Sequence, residues 1–218
     1  MKKFDILWCL ALLIVISLFI IPGTNNAITA VGDVHPYLTG FVKFAVLATM
    51  GELLALRIVN GDWKKPNGLI YRACIWGFLG ITFVLMFPLF ATGVGSTIHM
   101  NLLPNAGKLG SSFFTSALIN LGYAPTFMAF HRITDTFIDM GEGHLNQILR
   151  VKLNDVIEKI DWKGYVSFVV LKTVPFFWIP AHTITFMLPP QYQIVFAAFL
   201  SIALGGILAF AKKRSTLA

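Results

Sequence analysis

Charge is scarce in this chain: Asp, Glu, Lys and Arg together make up only 12% of its 218 residues. Ordinary soluble domains carry about a quarter. With 56% hydrophobic residues and a mean hydropathy of +0.75, the expected solvent is a bilayer. No long polar insertion interrupts the chain, which excludes a separate soluble domain. Cysteine is nearly absent: Cys9 and Cys74 lie in apolar runs without a CxxC pair, so both are expected to be reduced, buried and structural. GxSxG, HExxH and Walker-type loops are missing, and His35, His99, His131, His144 and His182 lack metal-ligand spacing. No catalytic residue, cofactor or metal is therefore expected, with an intramembrane enzyme left as a minor alternative.

About 20 apolar residues cross the hydrocarbon core as a helix. Six stretches reach that length, near 5–22, 36–58, 71–94, 112–130, 164–188 and 191–211. The fold expected is an all-α membrane bundle of about six transmembrane helices plus a cytoplasmic amphipathic helix. Residues 1–34 read as a signal anchor, or alternatively a cleaved signal peptide, with a short loop; residues 35–218 form the multi-span domain.

The formal charge of +7 suggests nucleic acid until its distribution is considered. With the N-terminus in the cytoplasm, Lys2, Lys3, Arg57, Lys64, Lys65, Arg72, Arg132, Arg150, Lys152, Lys159, Lys163, Lys212, Lys213 and Arg214 share the cytoplasmic side, and only Lys108 falls outside. That bias is the orientation signal of a membrane protein, so the partner is the lipid bilayer and no nucleic acid is implied. Both termini are then cytoplasmic. In the longest polar connection, Leu145, Ile148, Leu149, Leu153, Val156, Ile157 and Ile160 recur at helical steps, predicting the surface helix. In the last span Ala197, Ser201, Gly205 and Ala209 make a small-residue face for close packing, within the chain or between copies as a homo-oligomer.

Polar residues inside the spans are the candidate site. Glu52 and Lys172 lie at depths that differ by only about 3 Å, which predicts an intramembrane ion pair, with Arg57 and Arg72 as rival partners for Glu52. Lys43 is nine residues from Glu52, on the opposite helix face, and either snorkels outward or faces the bundle. Pro175, Trp178, His182, Thr185 and Pro189 form one stripe of the fifth span, and Ser112, Ser116 and Asn120 form another in the fourth. Two polar stripes favour an internal polar seam: a pore, a binding cavity or interhelical glue.

His35-Pro36, Gly51-Glu52, Arg72, Gly77, Gly80, the run Gly122-Tyr-Ala-Pro125, and then Trp162, Trp178, Pro180, Phe186 and Pro189 follow in order over most of the chain. In this order and spacing the chain resembles the Mpv-seventeen and peroxisomal-membrane-protein family of small multi-span proteins. It departs from the family where Glu52 replaces the usual aspartate, His182 a glutamine, Thr185 an asparagine and Gln193 an arginine, and where the tryptophan-asparagine of the last span is missing. The resemblance implies an integral membrane protein that forms a channel or moves small metabolites. Glu52, Lys172, His182, Thr185, Lys43 and Asn120 are the expected polar path or gate. The location implied is the plasma membrane for a bacterial chain, or an organelle membrane for a eukaryotic one. The alternative is a scaffolding membrane protein without transport, using the small-residue face and the surface helix to hold partners.

Overall fold

The computed structural model describes residues 3–215, except the side chains of 208 and 210–215, so Lys2 and the side chains of Lys212, Lys213 and Arg214 lie outside the described residues. Among the described residues the chain is all helical. Helix α1 (Lys3–Ile20) leads into α2 (Pro22–Val34), where a loop is expected from the sequence; Pro22 sits in the first turn, where its missing N–H is harmless. There follow α3 (Pro36–Asn60), α4 (Leu69–His99), α5 (Gly107–Gly122) and α6 (Ala124–Met140).

Among the described residues four helices are long and apolar enough to cross a membrane: Lys3–Ile20, Leu69–His99, Trp162–Met187 and Pro190–Ile207. A fifth span results if α5 and α6, bent by 43° at their junction, are taken as one. Pro125 supplies that bend. It opens α6 without an N–H for the preceding turn, and its carbonyl accepts a hydrogen bond from the Tyr165 hydroxyl. The expected sixth span, α3, has the length but carries three charges, Lys43, Glu52 and Arg57, and is not among these spans. It survives as the central helix because α4 and α11 (Pro190–Ser215) pack on it.

Glycines set those close packings. A Cβ on Gly51 would lie 3.0 Å from the Ile202 Cα, and one on Gly205 would lie 3.0 Å from the Gly51 carbonyl oxygen. The small-residue face of the last span is therefore used inside the chain. Ala197 and Ala209 are also buried there, so of the two uses expected for Ala197, Ser201, Gly205 and Ala209, packing within the chain is the one seen in the bundle. On the other side of α3, Gly40 and Gly80 bring α4 nearer still, so that a Cβ on Gly80 would collide with the Gly40 carbonyl oxygen.

The predicted surface helix is broken into α7 (Leu145–Ile148) and α8 (Leu153–Lys159), and α9 (Trp162–Gly164) opens the fifth span. Val156 and Ile160 are buried while Leu145, Leu149 and Leu153 stay exposed, so the apolar stripe is not one face but a docking of α8 against α6. Tertiary burial of two residues wins over the helical period of the whole segment. The fifth span is also irregular. It winds as a wide π-helix from Tyr165 to Trp178, with Pro175 inside it, before α10 (Ile179–Met187) resumes the α form.

Two ties level the bundle at one end. Arg57 at the close of α3 pairs with Asp5 at 2.7 Å, and the Trp63 indole donates to the same carboxylate at 2.8 Å, holding the start of α1 there. At the opposite end, the Asn25 amide donates to the Tyr192 hydroxyl at 2.9 Å, joining α2 to α11. Cys9 and Cys74 are exposed rather than buried. In a helix whose outer face meets hydrocarbon, a small soft side chain is as well placed outside as inside.

Candidate functional site

Helices α3, α4, α5, α6, α10 and α11 surround a cavity of ≈ 380 Å³, lined mostly by apolar atoms with a few polar side chains. At one end stands Arg72, in the first turn of α4 and almost fully buried. Its guanidinium presents five donors in a fixed fork. Nη1 donates to Glu52 Oε1 at 3.0 Å, Nη2 to Asp139 Oδ1 at 2.5 Å and Nε to the Asn67 carbonyl at 3.0 Å. Asp135 Oδ1 lies 3.0 Å from Nη1 in ion-pair contact, out of line for a hydrogen bond. Three carboxylates thus gather on one guanidinium.

His131 Nδ1 is 3.6 Å from the other Asp135 oxygen, and its ring lies 4.1 Å from that of Trp76 between centroids. The Trp76 indole lies beside the Glu52 carboxylate, yet neither its Nε1 nor Glu52 Oε2 closes a well-aligned hydrogen bond within the chain, and His131 Nε2 has none either. Buried polar atoms are nearly always paired with protein, water or ligand. These three atoms belong to side chains that border the cavity.

The backbone that brings α6 to Arg72 rests on two glycines with left-handed backbone, Gly68 (φ 60°) before α4 and Gly143 (φ 74°) after α6. A Cβ on Gly143 would collide with the backbone of Gly68, so the two loops touch directly and carry Asp135 and Asp139 into range.

At the other end of the cavity, Asn120 and His182 form a buried pair 3.0 Å apart, Nδ2 to Nδ1. The Asn120 amide also donates to the Ser116 carbonyl at 2.8 Å, and the Ser116 hydroxyl donates to the Ile179 carbonyl at 2.7 Å. The polar stripe of the fourth span and that of the fifth therefore meet, α5 against α10. Trp178 stacks beside His182, 5.1 Å between centroids.

Of the six expected path residues, Glu52, Asn120 and His182 reach one cavity. The Glu52–Lys172 pair is not formed: Arg72 takes Glu52, and Lys172 is exposed with no ion pair among the described residues. Equal depth was not enough, because the wide winding of Tyr165–Trp178 turns Lys172 outward. Thr185 is fully buried but donates back to the Ala181 carbonyl at 3.0 Å and does not border the cavity. Lys43 borders a different pocket, of ≈ 500 Å³, at the far end of the bundle. Of the residues carrying the family resemblance, Gly51, Gly77 and Gly80 sit in helix contacts, Phe186 packs on Phe87 at 4.8 Å, and Trp162 donates to the Ile157 carbonyl at 2.9 Å. His35 and Pro36 open α3, Pro125 and Gly122 flank the bend, and Pro180 and Pro189 bracket α10.

The residues missed in the sequence are His131, Asp135 and Asp139. Their four-residue spacing, HxxxDxxxD, puts all three on one helical face, a signal hidden because the segment reads as a polar connection. Among the described residues no group of three potential ligands is arranged for a metal. Compared with family models, curated proteins and solved structures, the chain matches none.

Proposed function

We propose that this chain is a multi-pass membrane protein of the channel or transporter type, with the central cavity as the route of a small solute. The single observation behind this reading is convergence. Glu52 of α3, Asn120 of α5 and His182 of α10 come from separate helices onto one cavity, although each is costly in hydrocarbon. Three carboxylates against Arg72 and the exposed Arg132 make one mouth acidic, suited to small cations or polyhydroxylated solutes rather than anions.

Phenylalanines separate this cavity from the pocket at the far end. Phe44 and Phe83 stack at 4.9 Å, Phe83 meets Phe87 at 5.3 Å, and Phe87 meets Phe186 at 4.8 Å. Phe83 borders the cavity and Phe87 the far pocket, so the stack acts as a dry constriction in a closed state. The lysine and arginine bias puts the acidic mouth on the cytoplasmic side, with α1 retained as an anchor through Asp5 and Arg57. The reading draws on the residue pattern that resembles the Mpv-seventeen family, and it carries a location in a bacterial plasma membrane or an organelle membrane. The scaffold alternative keeps the exposed Leu145, Leu149 and Leu153 to offer a partner, whereas Gly205 of the small-residue face already packs on α3.

The test is flux through proteoliposomes of the purified chain. Glu52→Gln is expected to reduce the preference for cations over neutral solutes, Phe87→Ala to raise leak, and Lys172→Met to change nothing. Silent vesicles holding folded wild type and folded Phe87→Ala would sink the transport reading.

A further inference from the structure

Lys43 stands where two pockets meet. One, of ≈ 450 Å³, is wholly apolar and lies between α1, α2 and α3; the other, of ≈ 500 Å³, is the polar far-end pocket. Lys43 and Thr39 line both. Among the described residues Lys43 has no carboxylate partner, an expensive state for an ammonium on a helix seven residues, or about 10 Å, in from Pro36. Asp33, in the last turn of α2, lines the polar pocket nearer its exposed rim, without pairing to Lys43.

The apolar pocket opens outward, through Leu38, Val42 and Val46, all substantially exposed. Polarity therefore changes in a fixed order along the site: hydrocarbon surface, then an unpartnered cation with a hydroxyl, then a carboxylate at the rim.

We propose that this site holds one phospholipid with an amine headgroup of the phosphatidylethanolamine type. An acyl chain lies in the apolar pocket, the phosphate meets Lys43 and Thr39, and the headgroup ammonium reaches Asp33. Each part matches in charge and in order. A free phosphate would leave the apolar pocket unused. A glycerol headgroup offers Asp33 only neutral hydroxyls in place of an ammonium, and a choline has no N–H to donate to that carboxylate. The site is separate from the central cavity and does not depend on transport.

The experiment is native mass spectrometry of the full chain released from detergent, with phosphatidylethanolamine, phosphatidylglycerol and phosphatidylcholine of identical acyl chains supplied at equal concentration. Phosphatidylethanolamine should be retained about threefold to fivefold over phosphatidylcholine, the scale of one part-exposed ion pair. Lys43→Gln should lower retention of all three by about tenfold, the scale of a charged hydrogen bond. Lys43→Arg should restore it. Asp33→Asn should keep overall binding while erasing the preference for the ethanolamine lipid. Leu38→Trp, which fills the apolar pocket without touching a charge, should also reduce retention. Equal retention of the three lipids by wild type would overturn the proposal. So would a preference for phosphatidylglycerol, full retention in folded Lys43→Gln, or complete displacement by glycerol phosphate, which would make it a soluble-phosphate site.

Discussion

Replacing Arg72 with methionine should be the most damaging single change at the acidic mouth, and the structure sets its scale. The guanidinium is almost fully buried, and two of its three carboxylates, Glu52 and Asp135, are about four-fifths buried. Met fills similar space but leaves those carboxylates facing each other with no cation in contact. Breaking a buried pair by removing one partner costs about 3–5 kcal/mol, because the remaining charge stays in low dielectric. Asp139 adds little, since its side chain is 62% exposed and solvent screens it.

Glu52→Gln is milder, at about 1–2 kcal/mol, because Arg72 keeps its other two acids. Asp139→Asn should cost under about 1 kcal/mol. Adding Glu52→Gln to Arg72→Met should recover part of the loss, since one orphaned charge disappears. Lys172→Met, at the residue first expected to hold Glu52, should be neutral. The assay is thermal unfolding of the purified protein in one detergent, followed by loss of the monodisperse peak; for a chain of this size about 2–4 °C accompanies each kcal/mol. The reasoning fails if Arg72→Met is no worse than Asp139→Asn, if the double variant is less stable than the single, or if Lys172→Met ranks with Arg72→Met.

Gly205→Val should separate α11 from α3, because a side chain there meets the Gly51 carbonyl; about 1–3 kcal/mol is expected, and Gly206→Ala, with more room beside Leu54, should cost less. Equal stability of the two variants in the same unfolding assay would contradict the packing. Cys74, exposed on the span Leu69–His99, and Cys9, exposed on Lys3–Ile20, should react in intact membranes with a lipid-soluble maleimide and resist a membrane-impermeant one. Rapid labelling of Cys74 by the impermeant reagent would place that face in water and overturn its assignment to the lipid side.

Legibility in the sequence follows physical range. Whether a segment is helical and apolar is a sum over its own residues, so the spans at Lys3–Ile20, Leu69–His99 and Pro190–Ile207 emerge from composition alone. The cost of Glu52, Asn120 and His182 in hydrocarbon is also local, a property of each residue and its own span. Partnership is not local. Glu52 and Lys172 have compatible depths, yet depth is one coordinate of three, and rotation about the helix axis put Arg72 within 3.0 Å and Lys172 outside.

The same limit holds for the helix contacts. Ala197, Ser201, Gly205 and Ala209 announce a close helix contact, but only the assembled bundle shows that α3 fills it. The period of Leu145 to Ile160 announces a helix, but burial of Val156 and Ile160 under α6 broke it into pieces. By itself the sequence determined the helical class, the long apolar spans and the costly polar residues, because each is a property of a residue or a short run. The tertiary structure decided which charges meet, which small faces are covered and which pockets join. Those depend on helix rotation and crossing, which close only when all the helices pack at once.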